Sequence, residues 1–194
     1  MKRFILAAAI MMASITVFAQ HEPGSLTIQP RIGFSAADFN NTKDTKARVG
    51  MVVGPEFEYT LSKRFSLAMG LNYSQQGAEQ DNLDITYKMD YLTLPIVANF
   101  YIVKGLAVKA GVQPGYNIKA KMETNDINAD FDDGVNKLDI SIPVGLSYEF
   151  HNFVLDARYN LGVTKMFDMD KIDLNSKNLA FQLTLGYKFT LHNP

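Results

Sequence analysis

Side chains that commonly carry out catalysis are scarce in this chain of 194 residues, which has three histidines and no cysteine. Without cysteine the chain has no thiol nucleophile, no disulfide and no thiolate metal site. The histidines are His21, His151 and His192, and the strands predicted below place all three at the end opposite the long loops. A histidine general base at the loop end is therefore absent. The sequence predicts a protein that is not an enzyme and has no catalytic residue.

Acidic side chains are concentrated in the stretch 123–133, where closely spaced carboxylates could bind Ca²⁺. They precede Gly134 and are Glu123, Asp126, Asp130, Asp132 and Asp133. The spacing does not fit an EF-hand, because the glycine falls one position late and no glutamate closes the loop. A solvated acidic loop is the favoured interpretation and a cation site is the alternative. No metal or cofactor is predicted.

Outside this loop, some charged residues lie singly in stretches where apolar and polar residues alternate. In the last stretch, Leu183, Leu185 and Tyr187 share one parity, whereas Thr184 and Lys188 share the other. Successive side chains of a strand point to opposite faces, so each stretch predicts a strand with one apolar and one polar face. Apart from the irregular fourth stretch, the polar faces carry nine charged residues, namely Arg31, Glu56, Glu58, Lys109, Asp139, Glu149, Asp156, Arg158 and Lys188.

Eight alternating stretches are present, at about 26–34, 49–60, 65–74, 85–102, 106–118, 138–150, 153–164 and 179–189. In the fourth stretch, the apolar residues change from odd-numbered to even-numbered positions near Asp90 and Tyr91. This change predicts a β-bulge or the point where the strand leaves the membrane. Short turns at 61–64, 103–105 and 151–152 alternate with long polar connections at 36–48, 75–84, 119–137 and 165–177. This order is typical of an eight-stranded antiparallel up-and-down transmembrane β-barrel, with three short periplasmic turns and four longer extracellular loops.

The composition of the two strand faces indicates which face points inward. The polar faces are rich in Gly, Ser and Ala with single charges, whereas the apolar faces consist of Leu, Ile, Val, Phe and Tyr. A water-facing exterior would need more charge than the polar faces carry, so the apolar faces are predicted to contact lipid. Eight strands leave an interior just wide enough for side chains, and buried charges need partners. The nine charges, four positive and five negative, are therefore predicted to form a structural network in the lumen, with an ion or proton path as the alternative.

The first 19 residues have the pattern of a secretory signal peptide. Lys2 and Arg3 precede an apolar run that ends at Phe18, and the predicted cleavage lies between Ala19 and Gln20. Residues 1–19 are therefore predicted to be removed, and residues 20–194 to form the barrel domain. The net charge of −1 gives no support to a nucleic-acid partner.

Three short segments add to the strand pattern: 91–95 (YLTLP), 111–115 (GVQPG) and 186–189 (GYKF). With them, the mature chain resembles the small outer-membrane β-barrel domains of the "porin family", which are similar in architecture to the OmpX and OmpA membrane domains. The resemblance implies the outer membrane of a Gram-negative bacterium, contact with lipid and lipopolysaccharide, and recognition of the C-terminal aromatic Phe189 by barrel-assembly machinery. Five residues follow Phe189, whereas the usual aromatic is strictly terminal.

Three functions stay open on the sequence alone. The favoured hypothesis is a non-enzymatic barrel with a structural or interaction role through its extracellular loops, whose partner is unknown. The alternatives are a narrow channel for small solutes or ions and a soluble periplasmic ligand-binding barrel. Basic residues that could contact lipopolysaccharide phosphates are Lys43, Lys46, Arg48, Lys165 and Lys171.

Overall fold

The computed structural model describes residues 22–39, 45–80, 85–123, 128–130, 136–164 and 177–194. The signal peptide, its cleavage bond at Ala19–Gln20 and most of the acidic stretch 123–133 lie outside these residues, so the predictions made for them stay predictions. Lys43, Lys165 and Lys171 also lie outside them. No helix in the described ranges is long and apolar enough to cross a membrane.

Twelve β-strands make up the described chain, all within one antiparallel sheet. Their bounds are β1 Leu26–Phe39, β2 Thr45–Ser62, β3 Phe65–Gly70, β4 Asn72–Gln80, β5 Ile85–Thr93, β6 Ile96–Val103, β7 Leu106–Glu123, β8 Asn128–Asp130, β9 Leu138–Phe150, β10 Phe153–Gly162, β11 Asn178–Tyr187 and β12 Phe189–His192.

The sheet closes into a ring of eight spanning strands. Three of these are each interrupted once, so that β3 continues into β4, β5 into β6, and β11 into β12. The first strand, β1, pairs with β2 on one side and with β11 and β12 on the other, which leaves no free edge around the barrel wall. The short β8 pairs with β7 beyond the ring. The predicted eight-stranded antiparallel barrel is therefore confirmed.

The short turns lie where the sequence predicts them, at the end of the barrel where β1 begins and β12 ends. Gly105 and His151 adopt positive φ angles of 78° and 54° in two of these turns. At the other end, strands extend further than predicted: β2 begins at Thr45, β4 continues to Gln80 and β7 to Glu123. In these extensions Lys, Gln and Glu stand on the outer face in place of large apolar side chains, because the strands rise above the lipid there, and the pattern that reveals a membrane strand is therefore lost.

The predicted irregularity at Asp90 and Tyr91 is present as a register shift between β5 and β7. Asp90 is opposite Lys119 and Tyr91 is opposite Asn117, so one extra residue, Ile118, bulges on β7. Apolar residues occupy the inward-pointing positions in the first part of β5, because Met89 and Tyr91 point into the lumen. They form a small buried cluster with Ala78 and Ala120.

Solvent exposure shows that the apolar face is outside and the polar face inside. Phe34 and Leu138 are 69% and 67% exposed, whereas Arg158 and Asp156 are 1% and 0% exposed. This is the reverse of a water-soluble barrel, and it matches the predicted lipid-facing exterior. Rings of Phe153, Tyr187 and Phe189 contact one another on the outer face near the short turns, where an interfacial aromatic girdle is expected.

Candidate functional site: the charged lumen

An upper ionic layer crosses the lumen at the level of Glu56. This carboxylate lies 2.7 Å from Nη2 of Arg158, 3.0 Å from Nη1 of Arg31 and 3.6 Å from Nζ of Lys109. Asp156 lies 2.5 Å from Lys109 Nζ and accepts a 2.7 Å hydrogen bond from Arg158 Nε. Because Glu56 is on β2 while Lys109 and Arg158 are on β7 and β10, these contacts join opposite walls of the barrel.

Glycines on neighbouring strands make room for these long side chains. Arg158 is opposite Gly145 on β9, and Arg31 is opposite Gly54 on β2. A Cβ atom at Gly54 would lie 2.0 Å from the carbonyl oxygen of Leu71. Only glycine permits this close approach of two backbones, which is where β3 gives way to β4.

A lower ionic layer lies nearer the short turns and is centred on Lys188. Its Nζ is 2.6 Å from Glu149 and 3.0 Å from Glu58. Tyr101 donates a 2.6 Å hydrogen bond to Glu58, which also accepts one from Ser66. These groups come from β2, β3, β6, β9 and the junction of β11 with β12, so this layer also reaches across the lumen.

The structure brings eight of the nine predicted lumen charges together in these two layers. Asp139 lies apart, at the loop end of β9, where it accepts a 2.6 Å hydrogen bond from Thr164. The upper layer has three cations and two carboxylates, and the lower has one cation and two carboxylates. The eight charges therefore balance, four against four, and every carboxylate among them contacts at least one cation.

Above the ionic layers, towards the loops, neutral side chains form a bridge that the sequence analysis did not single out. Gln182 Nε2 lies 3.3 Å from Ser74 Oγ, and Gln76 Nε2 lies 3.1 Å from the same oxygen. Asn178 donates a hydrogen bond to Gln76. The bridge links β11 to β4. The residues of this bridge lie at the alternating positions that point inward, as the charged residues do. This alternation was the signal that could have identified them.

The remaining candidate residues lie at the ends of the barrel. His151 and His192 are exposed, His151 in a short turn and His192 in β12, while His21 is outside the described residues. Phe189 is half exposed on the lipid-facing side and is opposite Ile28 of β1. Lys46 is exposed, and Arg48 Nη1 donates a 2.5 Å hydrogen bond to the carbonyl oxygen of Gln76. Within the described ranges, no three His, Asp or Glu side chains are grouped as metal ligands would be.

Comparison with known proteins agrees with this architecture. The family described as "Outer membrane protein beta-barrel domain" matches residues 18–168. The chain belongs to this family. Its location is therefore the outer membrane of a Gram-negative bacterium, and its apolar exterior lies in lipid.

Solved structures show the same fold at low sequence identity. Ail, the attachment invasion locus protein of Yersinia pestis, is 20% identical with a TM-score of 0.51, over 86% of this chain and 99% of Ail. A structure of Ail in complex with the heparin analogue sucrose octasulfate is 18% identical with a TM-score of 0.54, over the same shares. Neisserial surface protein A is 12% identical with a TM-score of 0.52, over 86% of this chain and 97% of that protein. No curated protein matches the sequence.

Proposed function

We propose that this outer-membrane barrel is non-enzymatic, that its lumen is sealed by side chains, and that it serves a structural or interaction role through its extracellular loops. The proposal rests above all on the two ionic layers. Each one joins strands on opposite sides of the lumen, and their eight charges neutralise one another.

Among the described residues, the carboxylates of the lumen are held in ion pairs, which supports a non-enzymatic role. The carboxylates Glu56 and Asp156 are each held by more than one cation, so neither is left as a base for an incoming substrate. The described histidines lie at the short-turn end, away from the outer leaflet. The comparisons support the same proposal, because the matching family is described by its outer-membrane barrel rather than by a reaction, and Ail is described as an attachment invasion locus protein.

A soluble ligand-binding barrel does not fit the exposure pattern. Such a protein would bury its large apolar side chains, whereas Ile32, Val49 and Leu155 are at least half exposed on the outer face. The narrow channel is the remaining alternative, and the 2.7 Å contact between Arg158 and Glu56 across the lumen argues against it.

Two sets of partners follow from this proposal. The apolar belt contacts membrane lipid, and the basic residues above it, such as Lys46 and Lys119, contact phosphates of lipopolysaccharide in the outer leaflet. The half-exposed Phe189 is the aromatic that barrel-assembly machinery recognises during insertion.

The role of Phe189 is tested by comparing Phe189→Ala with Phe153→Ala, which removes a neighbouring ring of the same aromatic group. We expect Phe189→Ala to lower the amount of folded barrel in outer-membrane fractions more strongly than Phe153→Ala. Equal losses would mean that Phe189 acts only as an interfacial aromatic.

Sealing of the lumen is tested by liposome swelling with the refolded protein. We expect proteoliposomes in isotonic glycerol or arabinose to swell no faster than protein-free liposomes. A heat-dependent shift of electrophoretic mobility verifies that the barrel has folded. Swelling that rises with the amount of folded barrel would favour the channel and overturn the proposal.

A further inference from the structure

Lysine and arginine at the short-turn end of the barrel are confined to one side of its rim. The turn between β2 and β3 contains Lys63 and Arg64, and the turn between β6 and β7 contains Lys104. The third turn, 151–152, and the C-terminal stretch 190–194 contain neither lysine nor arginine. Lys63, Arg64 and Lys104, here called the basic arc, therefore set one side of this end apart from the other.

The two basic turns are neighbours, because β3 pairs with β6. Phe65, the first residue of β3, is opposite Phe100. The backbone N–H of Tyr101 donates a 2.9 Å hydrogen bond to the carbonyl oxygen of Arg64. Lys104 follows Tyr101 by three residues, which span roughly 10 Å in an extended chain. The three cations of the basic arc therefore lie side by side on the rim.

Exposed apolar side chains indicate the depth of the basic arc in the membrane. Phe65 and Phe100 are exposed at the ends of their strands, where an interfacial aromatic girdle is expected. Leu61, Ile102 and Val103 lie beyond these rings and are still at least half exposed. Leaving such side chains in water is unfavourable, so the turns stay within the interfacial layer of the bilayer. The basic arc thus lies at the level of the lipid phosphates.

Anionic side chains of the protein do not neutralise the basic arc. Among the described residues, none of its three side chains forms an ion pair. Glu58 and Glu149, on the strands that lead into this end, point into the lumen and contact Lys188. Outside the lumen, the described part of this end has a single acidic residue, Glu22. The basic arc therefore keeps an excess of positive charge beside the membrane, and such clusters attract anionic lipid headgroups.

We propose that the basic arc binds the headgroup of an anionic phospholipid, of the phosphatidylglycerol class, in the periplasmic leaflet. The Arg64 guanidinium can donate to two phosphate oxygens at once, and the two lysines add positive charge without a fixed geometry. A zwitterionic headgroup fits less well, because its own cationic group is repelled by the arc. This partner is distinct from the lipopolysaccharide phosphates of the outer leaflet, and the inference does not depend on the sealed lumen.

Quenching of tryptophan fluorescence by brominated lipids tests this proposal, since the chain has no tryptophan of its own. The reporters are Phe65→Trp beside the basic arc and Phe153→Trp beside the third turn, two exposed rings on the lipid-facing side. Each reporter is refolded into vesicles of phosphatidylcholine and phosphatidylglycerol in equal amounts, with the acyl chains of one lipid or of the other brominated. Comparing the two quenching levels gives the relative affinity of each side of the rim for the anionic lipid.

We expect the Phe65→Trp reporter to favour phosphatidylglycerol by at least about fivefold, since a single Lys or Arg near an anionic surface contributes about that factor. The Phe153→Trp reporter should be quenched about equally by the two lipids. Replacing the basic arc with glutamine (Lys63→Gln, Arg64→Gln and Lys104→Gln together) should abolish the preference at Phe65→Trp, and the heat-dependent mobility shift verifies that each variant has folded.

Three results would overturn the proposal. The first is equal quenching by the two lipids at Phe65→Trp, and the second is the same preference at both reporters. The third is a preference that survives the triple glutamine substitution, because the cations would then not be its cause. None of these results bears on the sealed lumen, so the proposed function stands or falls separately.

Discussion

Neutralising Glu56 is the perturbation that most directly probes the charged lumen. The Glu56→Gln variant keeps the shape of the side chain but removes the carboxylate that faces Arg31, Lys109 and Arg158. Glu56 is 1% exposed, and its ion-pair distances to these cations run from 2.7 to 3.6 Å. The upper layer then holds three cations against Asp156 alone, and a glutamine NH₂ adds a donor where acceptors are needed.

The size of the effect follows from the burial of the cations. Removing one partner of a buried ion pair typically costs about 3–5 kcal/mol, because the other charge stays buried without compensation. We expect a loss of this order in the free energy of unfolding. Glu79→Gln is the matched control, since Glu79 is exposed on β4 opposite Lys46 of β2. Exposed pairs of this kind contribute only about 0–1 kcal/mol.

The assay is reversible urea unfolding in lipid vesicles, followed by electrophoretic mobility shift and far-ultraviolet circular dichroism because the chain has no tryptophan. Adding Arg31→Gln to Glu56→Gln completes a double-mutant cycle. The double variant should be less destabilised than the sum of the single changes by about 0.5–3 kcal/mol, since the two groups are in contact. A Glu56→Gln loss no larger than that of Glu79→Gln would refute the claim that these charges are buried and dependent on one another.

Two further predictions concern the barrel wall and use the same unfolding assay. Gly54→Ala should cost about 1–3 kcal/mol, because its Cβ would lie 2.0 Å from the Leu71 carbonyl oxygen and the strands must move apart. Gly115→Ala, whose nearest contact is a side-chain methyl at 3.3 Å, should cost less, and an equal cost would contradict this explanation. Ala157→Arg, midway along β10 on the lipid face, should cost about 2–4 kcal/mol, whereas Val163→Arg beyond the loop end of β10 should cost about 0–1 kcal/mol. Similar costs at the two positions would contradict the assigned depth in the membrane.

The wall of the barrel could be predicted from the sequence because a membrane strand must alternate along its whole length. The alternation of Leu183, Leu185 and Tyr187 with Thr184 and Lys188 predicts the strand, and the composition of the two faces predicts which one meets lipid. Where a strand rises above the lipid, as in Lys119–Glu123, charged residues replace the large apolar side chains on the outer face, so the pattern of a membrane strand ends. The extensions of β2, β4 and β7 were therefore missed.

The arrangement within the lumen was predictable only in part. Parity indicates that Glu56 and Arg158 point inward, but not that they meet, because their relative height depends on the registers of the strands between them. The same limit explains why Asp139 was grouped with charges that it does not contact. Neutral residues such as Gln76 and Gln182 have no charge to balance, and hence their pairing could not be predicted from the alternating pattern.

The most direct test of the sealed lumen is the electrical conductance of the refolded barrel in a planar lipid bilayer. The two ionic layers predict a folded, inserted protein that shows no discrete current steps, and the heat-dependent mobility shift identifies the folded form. Reproducible single-channel steps from the folded barrel would contradict the account, and would make the contacts of Glu56 with Arg31, Lys109 and Arg158 part of a conducting path.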